Sequence, residues 1–337
     1  MRYLKHAFGA AIFIVALTAL AWYVLDTRFL LPVQAAEQAR TIDWLFNLQF
    51  KLMAVMFGLI AGLMLYSIIF FRRRQGDTTE GLYTTGNTPL ELAWTAIPLA
   101  IVIGLALIGA QNLAETQRID PRALEVKVTA MQWSWRFEYP AYGIVTDQLI
   151  LPRNQQIVFK LNATDVIHSF WVPEWRVKQD AVPGIEQILR VTPTEIGEFQ
   201  LVCAEICGAQ HANMVSTVKV VSQEAFKDWV AQQLTGEVAE DPAVRGEQIL
   251  RTNGCIACHS LDGTPLVGPT FQGAYGRQET LEDGSTVTVD DAYILESIRQ
   301  PAKDVVQGYP PIMQPYGDDV ISDAQVGDII EYIKTLK

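Results

Sequence analysis

The chain has 337 residues, half of them hydrophobic and only 19% charged, with a net charge of −11. That length predicts two or three domains, and the apolar balance points to a membrane protein. The residues from Ser222 onward carry 8 basic and 19 acidic side chains, whereas the first 221 carry 18 of each. This argues against nucleic acid as a partner and for a basic partner or none.

Ala7 to Leu25 is a 19-residue run without a charge, preceded by Arg2 and Lys5. Residues 1–36 therefore read as a signal peptide cleaved near Pro32–Ala36 or as a first transmembrane helix. Leu52 to Phe71 gives 20 uncharged residues, long enough to cross a bilayer, and the cluster Arg72, Arg73, Arg74 closes it. By the positive-inside rule that cluster marks the cytoplasmic side. Leu92 to Ala110 runs back outward, with Pro98 tolerated in a packed membrane helix. Residues 45–115 thus form a helical hairpin whose turn lies inside, and everything after Gln111 lies outside, in the periplasm or its equivalent.

Residues 120–222 read as an all-β domain. Leu124, Val126 and Val128 alternate with polar residues, and then the phase slips by one to Met131, Trp133, Trp135, Phe137 and Tyr139. Such a slip predicts a bulge or bend. Further runs at Ile157–Leu161, Phe199–Cys203 and Val215–Val221, punctuated by Pro152, Pro173, Pro183 and Gly184, predict a sandwich or Greek-key barrel. Residues 223–243 read as a short helix capped by Ser222, then a linker with the composition TGEVAEDPA. Residues 244–337 are helical in pattern and end in an amphipathic helix over Val326–Leu336.

All four cysteines fall into two tight pairs, Cys203/Cys207 and Cys255/Cys258. Short-loop disulfides would account for the cysteines alone, but each pair has a histidine at hand, His211 and His259. Cys255-Ile-Ala-Cys258-His259 is the attachment motif of a c-type haem, with His259 placed as an axial ligand. No further cysteine or histidine follows, so a zinc site lacks its remaining ligands. Met313 is the only methionine of this region and the candidate sixth ligand. The first pair lies in LVCAEICGAQHANM (Leu201–Met214), with His168 upstream in DVIHSFWVP. Two thiols, two imidazoles and a thioether are a soft donor set that suits copper.

Over roughly residues 45–230 the chain resembles cytochrome c oxidase subunit II. That resemblance implies a cupredoxin-like domain with a binuclear copper-A site. His168, Cys203, Cys207, His211 and Met214 would supply side chains to it, and Glu205 its backbone carbonyl. The Glu205 side chain would also reach a magnesium ion at the boundary with subunit I. Asp165 and Asp180 match family positions near the copper and magnesium regions, although either would serve equally as a turn or cap residue. In MQWSWRFEYP the resemblance makes Trp133 the residue where electrons enter, and leaves Trp135 in the core. Aromatic strands are more often simply core.

Glu91 would mark the cytoplasmic mouth of a proton-uptake channel; at a helix N-terminus an acid also favours the dipole. GTPLVGPTFQG (Gly263–Gly273) looks like the loop beside the proximal histidine of small cytochromes c. The implied whole is an oxidase subunit with a fused all-α, class I cytochrome c domain in the plasma (inner) membrane. Electrons would pass from a soluble cytochrome c or another donor to haem c, to copper A, and into an oxygen-reducing, proton-pumping subunit I. The alternatives are the small subunit of a copper-A nitric oxide reductase and a membrane-anchored electron carrier without a catalytic partner.

Overall fold

A computed structural model describes residues 2–26, 30–73, 75–78, 80–81, 83, 85–235 and 241–337, without side-chain detail at 2 and 3. Arg74 of the predicted cytoplasmic cluster and positions 236–240 of the predicted linker lie outside the described residues. Two compact units emerge, Met1–Ile119 with Glu174–Arg176, and Asp120–Pro173 with Val177–Lys337.

In the first unit α1 (Arg2–Val24), α2 (Glu37–Phe70) and α3 (Thr88–Thr116) are each long and apolar enough to cross a membrane. The chain is a multi-pass membrane protein. Along α2, Ala54, Gly58, Gly62 and Tyr66 recur every fourth residue and are the buried stripe facing α1. A Cβ on Gly62 would lie 2.9 Å from the Ile14 Cα, so the close approach requires glycine. His6 Nδ1 lies 2.9 Å from the Tyr66 hydroxyl at one end of this seam.

The α2 helix begins well before the predicted Leu52, because its polar first turns are held by partners that hydropathy does not reveal. Asp43 pairs with Arg176 (Nε to Oδ1 2.8 Å) and accepts from Gln34 Nε2 at 2.7 Å. Both charged side chains are buried, so each neutralises a cost the other would otherwise incur. Arg176 has φ +62, a left-handed conformation uncommon outside glycine, and its guanidinium also donates to the carbonyls of Pro32 and Val33.

The second unit opens with the β-domain. Its strands are β1 (Leu124–Met131), β2 (Ser134–Tyr139), β3 (Ile144–Thr146), β4 (Leu149–Pro152), β5 (Ile157–Ala163), β6 (His168–Trp171), β7 (Lys178–Ala181), β8 (Gln187–Val191), β9 (Gly197–Cys203) and β10 (Val215–Val221). One sheet runs β3-β2-β1-β5-β8 and the other β4-β10-β9-β6-β7. Inward residues such as Val126, Phe137, Phe159, Leu161, Phe170, Leu201 and Val218 are fully buried, giving a cupredoxin-like sandwich. The phase slip after Val128 is not a bulge within one strand. β1 and β2 are antiparallel partners, and the chain reverses at Gln132–Trp133 between Met131 and Ser134. The reversal lets Met131, Trp133 and Trp135 all be buried.

The cytochrome region contains α5 (Pro242–Thr252), a hairpin of β11 (Gln278–Thr280) and β12 (Thr286–Thr288), α6 (Asp291–Arg299) and α7 (Asp323–Thr335). It follows α4 (Gln223–Thr235), where the Ser222 hydroxyl accepts from the Ala225 amide at 3.1 Å, as expected of a cap. Leu250, Ile294, Ile298, Val326, Ile329 and Ile333 form its core. A Cβ on Gly246 of α5 would meet the Asp328 carbonyl and lie 2.9 Å from the Ile329 amide of α7. Gly327, also on α7, has open space around its Cβ position. We expect Gly246→Ala to cost about 1–3 kcal/mol by overpacking, and Gly327→Ala to gain about 0.5–1 kcal/mol from helix propensity. Opposite shifts in urea unfolding followed by circular dichroism would verify this pair; equal shifts would refute it.

Candidate metal centres

The first centre is assembled by three strand ends. His168 opens β6, Cys203 closes β9, and Met214 immediately precedes β10. The Cys203 amide donates to the Met214 carbonyl at 3.1 Å and the Ala204 amide to the Ser169 carbonyl at 2.9 Å, folding the intervening loop back over its own start. His168, Cys203 and Cys207 form a buried cluster able to hold a metal ion. The Cys203 and Cys207 sulfurs are 3.7 Å apart and both thiols are free. His168 Nδ1 lies 3.1 Å from Met214 Sδ and 3.9 Å from Cys203 Sγ. His211 Nδ1 lies 3.5 Å from Cys207 Sγ, Met214 Sδ lies 3.8 Å from it, and the Glu205 carbonyl lies 3.2 Å from Cys203 Sγ. The six predicted donors therefore converge.

Asp165 sets the His168 tautomer. Its Oδ1 lies 2.8 Å from His168 Nε2, so Nε2–H donates and the Nδ1 lone pair faces the sulfurs. Burial acts to raise the Asp165 carboxyl, but hydrogen bonds from His168 and the Gln132 and Val166 amides outweigh it and hold it below the usual range. Burial likewise opposes the charged form of His168, and Asp165 and Cys203 together pull it back up. Burial raises the Cys203 thiol, yet its contacts with His168 and with the Ser169 and Glu205 backbone bring it down. Burial and the neighbouring Cys203 charge push the Cys207 thiol up. Metal binding requires both thiols as thiolates and therefore releases protons.

Trp133, 6% exposed, donates from Nε1 to the Cys207 carbonyl at 3.1 Å. Gln132 Nε2 donates to the same carbonyl at 2.6 Å, and its amide donates to Asp165 Oδ2 at 2.6 Å. The sequence reading missed Gln132. Its neighbour Trp133 was the available signal, but a glutamine has no distinctive spacing. Trp135 stacks edge-on against Phe170 in the core, as expected. Asp180 lies on β7 opposite Ser169. Glu91 sits in the exposed first turn of α3, where its carboxylate accepts from the Asn87 amide at 3.0 Å and completes a helix cap.

The second centre is a largely apolar cavity of about 440 Å³, whose wall includes Cys255, Cys258, His259, Tyr316 and Met313. Gly254, with φ +74, turns the chain into a short 3-10 segment, Cys255–Ala257. The His259 amide then donates to the Cys255 carbonyl at 3.0 Å. His259 Nδ1 lies 2.7 Å from the Pro269 carbonyl, which can only accept, so Nδ1 carries the proton and the Nε2 lone pair remains for a metal. Burial holds the imidazole below its usual range, against the pull of that carbonyl. Phe271 stacks on the ring at 4.6 Å. The Gly263–Gly273 loop packs beside the histidine as expected: a Cβ on Gly268 would lie 2.7 Å from His259 Cε1.

Both donor sets fit the groups the sequence suggested. Six soft or neutral donors within 3.1–3.9 Å of their neighbours and free of disulfide, with His168, Cys203, Cys207 and Met214 buried, suit copper ions. An apolar cavity bearing two thiols, an oriented imidazole and a thioether suits a covalent haem. The fold and these sites define a membrane-anchored protein with a cupredoxin-like metal-binding domain followed by a cytochrome c domain.

Known families agree. The model of the cytochrome c oxidase subunit II transmembrane domain matches residues 22–111, that of its periplasmic domain 143–221, and that of cytochrome c 243–337. Cytochrome c oxidase subunit 2 of Synechocystis sp. is 32% identical over 64% of this chain and 80% of its own length. That of Thermostichus vulcanus is 31% identical over 70% and 88%. The crystal structure of the periplasmic domain of subunit II of cytochrome oxidase of Bradyrhizobium japonicum is 29% identical, covering 34% of this chain and 96% of that one with a TM-score of 0.33. The chain belongs to the cytochrome c oxidase subunit II family and carries a C-terminal cytochrome c domain. It is an electron-transfer subunit serving a haem–copper oxidase complex.

Proposed function

We propose that the chain passes electrons from a covalent haem c, held by Cys255, Cys258, His259 and Met313, to a binuclear copper-A centre. His168, Cys203, Cys207, His211, Met214 and the Glu205 carbonyl hold that centre. From there electrons reach subunit I, which reduces oxygen to water and pumps protons. One arrangement supports this above all: the haem cavity and the six copper donors lie in the same compact unit, with Gln132 and Trp133 touching both. The chemistry the groups supply when bound is one-electron transfer, the donor being oxidised as haem is reduced, and haem reoxidised as copper is reduced.

The protein's own part is positional. Asp165 fixes the His168 ring with Nδ1 toward the sulfurs, and the Pro269 carbonyl fixes His259 with Nε2 free. Burial of His168 and Met214 excludes water from the copper donors. Fusion in one chain replaces a bimolecular encounter with an intramolecular one at high effective concentration.

In the same reading, domain boundaries fall at 45–115, 120–222, 223–243 and 244–337. The α2–α3 turn is cytoplasmic, and the β-domain and cytochrome domain are periplasmic. Glu91 lies at a proton-channel mouth, and Glu205 reaches a magnesium ion at the subunit I boundary. The acidic C-terminal region suits a basic soluble donor. One optical spectrum of the purified complex tests the cofactors: a c-type haem band and the near-infrared absorption of mixed-valence copper are expected together. Absence of either from fully folded protein, or nitric oxide consumption in place of oxygen, would overturn the reading.

A further inference from the structure

Met313 lies in the segment Tyr309–Gly317, which has prolines at 310, 311 and 315 and belongs to no helix or strand. Proline lacks an amide hydrogen, fixes its own φ and confines the residue before it to extended conformations. Such a segment is stiff but poor in backbone ties of its own. Its hold on the rest of the domain is concentrated at Tyr316, three residues beyond the methionine. The Tyr316 amide donates to the Ile298 carbonyl at 3.0 Å, and the Tyr316 carbonyl accepts from Arg299 Nη1 at 2.7 Å. Both partners stand at the end of α6, and Arg299 is itself paired with Asp323 at the start of α7 at 2.6 Å. The third tie is the longest in sequence: the Tyr316 hydroxyl donates to the Asn253 carbonyl at 3.1 Å, 63 positions back. Burial pushes the phenol above its ordinary range, so it stays protonated and able to donate. Asn253 is a firm anchor. It ends α5, is 8% exposed, donates from Nδ2 to the Ile249 carbonyl at 2.9 Å and accepts at Oδ1 from Arg136 Nη1 at 3.3 Å. Gly254 and Cys255 follow it directly. Tyr316 and Met313 both line the haem cavity and pack against the core of the domain.

We infer that Tyr316 is the positioning residue for Met313: its hydroxyl ties the methionine loop to the turn that enters the Cys255–His259 motif. The two segments that carry the haem ligands are thereby joined to each other directly, and not only through the core. Pro315 stiffens the connection between the tie and the methionine, so a loop freed at Tyr316 carries Met313 with it. The role of Tyr316 is to oppose opening of the methionine side of the cavity. That role rests on the haem assignment above and adds which residue holds the sixth ligand's loop in place.

Imidazole, which competes with methionine for ferric haem iron, provides the probe, titrated into the full-length haem-loaded chain in detergent. Tyr316→Phe keeps the ring and removes only the hydroxyl. It should bind imidazole about fivefold more tightly than the wild type, because one hydrogen bond no longer opposes the open form that imidazole selects. The haem midpoint potential should fall in the same variant, since the methionine that raises it is held less firmly. Arg299→Gln, which frees the Tyr316 carbonyl, should shift both readings in the same direction. Tyr275→Phe is the control: it removes a hydroxyl bond to Asp291 elsewhere in the domain and should leave imidazole affinity unchanged. Equal affinity in folded Tyr316→Phe and wild type would overturn the inference, and so would an equal rise in Tyr275→Phe, the mark of general loosening. If Tyr316→Phe does not fold, unchanged affinity in Arg299→Gln overturns it instead. The methionine-to-iron charge-transfer band, read by magnetic circular dichroism, should be present in the wild type and lost in Met313→Leu. Its absence from the wild type, or its survival in Met313→Leu, would overturn the ligand assignment beneath.

Discussion

Replacing Cys207 with serine is expected to abolish the near-infrared copper absorption and electron flow to oxygen, while leaving the c-type haem spectrum intact. Cys207 is the hub of the donor set: its sulfur lies within 3.5–3.8 Å of Cys203, His211 and Met214, and its carbonyl accepts from both Gln132 and Trp133. Serine keeps the backbone contacts but offers a hard hydroxyl in place of a soft thiolate. The loss should therefore be of metal and not of fold. Asp165→Asn provides the graded comparison. It leaves all six donors in place but weakens the hold on His168 Nε2, and outer partners of this kind are worth about 10–100-fold in metal affinity. Copper titration of the two variants orders the effects. Equal copper retention by Cys207→Ser and the wild type would refute the donor assignment. Collapse of the β-domain in Asp165→Asn would show that the carboxylate is chiefly structural.

Legibility in the sequence followed the range of the interactions concerned. Cys203, Cys207, His211 and Met214 lie within one short loop and with His168 read as a soft donor set, while their gathering at one centre was what the resemblance implied. The attachment motif at Cys255 is likewise local. What stayed hidden depends on pairs far apart in the chain. Helix α2 continues N-terminally to Glu37 because Asp43 meets Arg176, 133 positions away. The slip at Met131 read as a bulge or bend because period-two patterning is the same for a kinked strand and for a tight hairpin. Only the pairing of Met131 with Ser134 separates them. Arg136 and Asn253, 117 positions apart, carry no motif at all. Glu91 illustrates the reverse: its place at the head of α3 was legible, but its carboxylate is engaged with the Asn87 amide, a capping role that sequence had set beside the proton-channel one.

Gly268→Val should separate haem attachment from haem ligation. The thiols of Cys255 and Cys258 are untouched by the change, so the haem should remain covalently bound on a denaturing gel. The His259 ring should not remain in place. A Cβ at position 268 lies 2.7 Å from His259 Cε1 and 2.9 Å from Nδ1, and Phe271 is stacked at 4.6 Å on the same ring. The Gly268 amide is itself tied to the Cys258 carbonyl at 3.0 Å, so the backbone has little freedom to retreat. The imidazole must therefore move, which breaks the Nδ1–H bond to Pro269 that aims Nε2 into the cavity. Overpacking of this size costs about 1–3 kcal/mol, enough to loosen the proximal side without unfolding a domain whose core lies among α5, α6 and α7. The expected signature is retained haem stain with a shifted axial-ligand spectrum and a lowered thermal midpoint, milder in Gly268→Ala than in valine. A wild-type spectrum in both variants would mean that this loop does not hold His259 in place, and the glycine would then need another explanation.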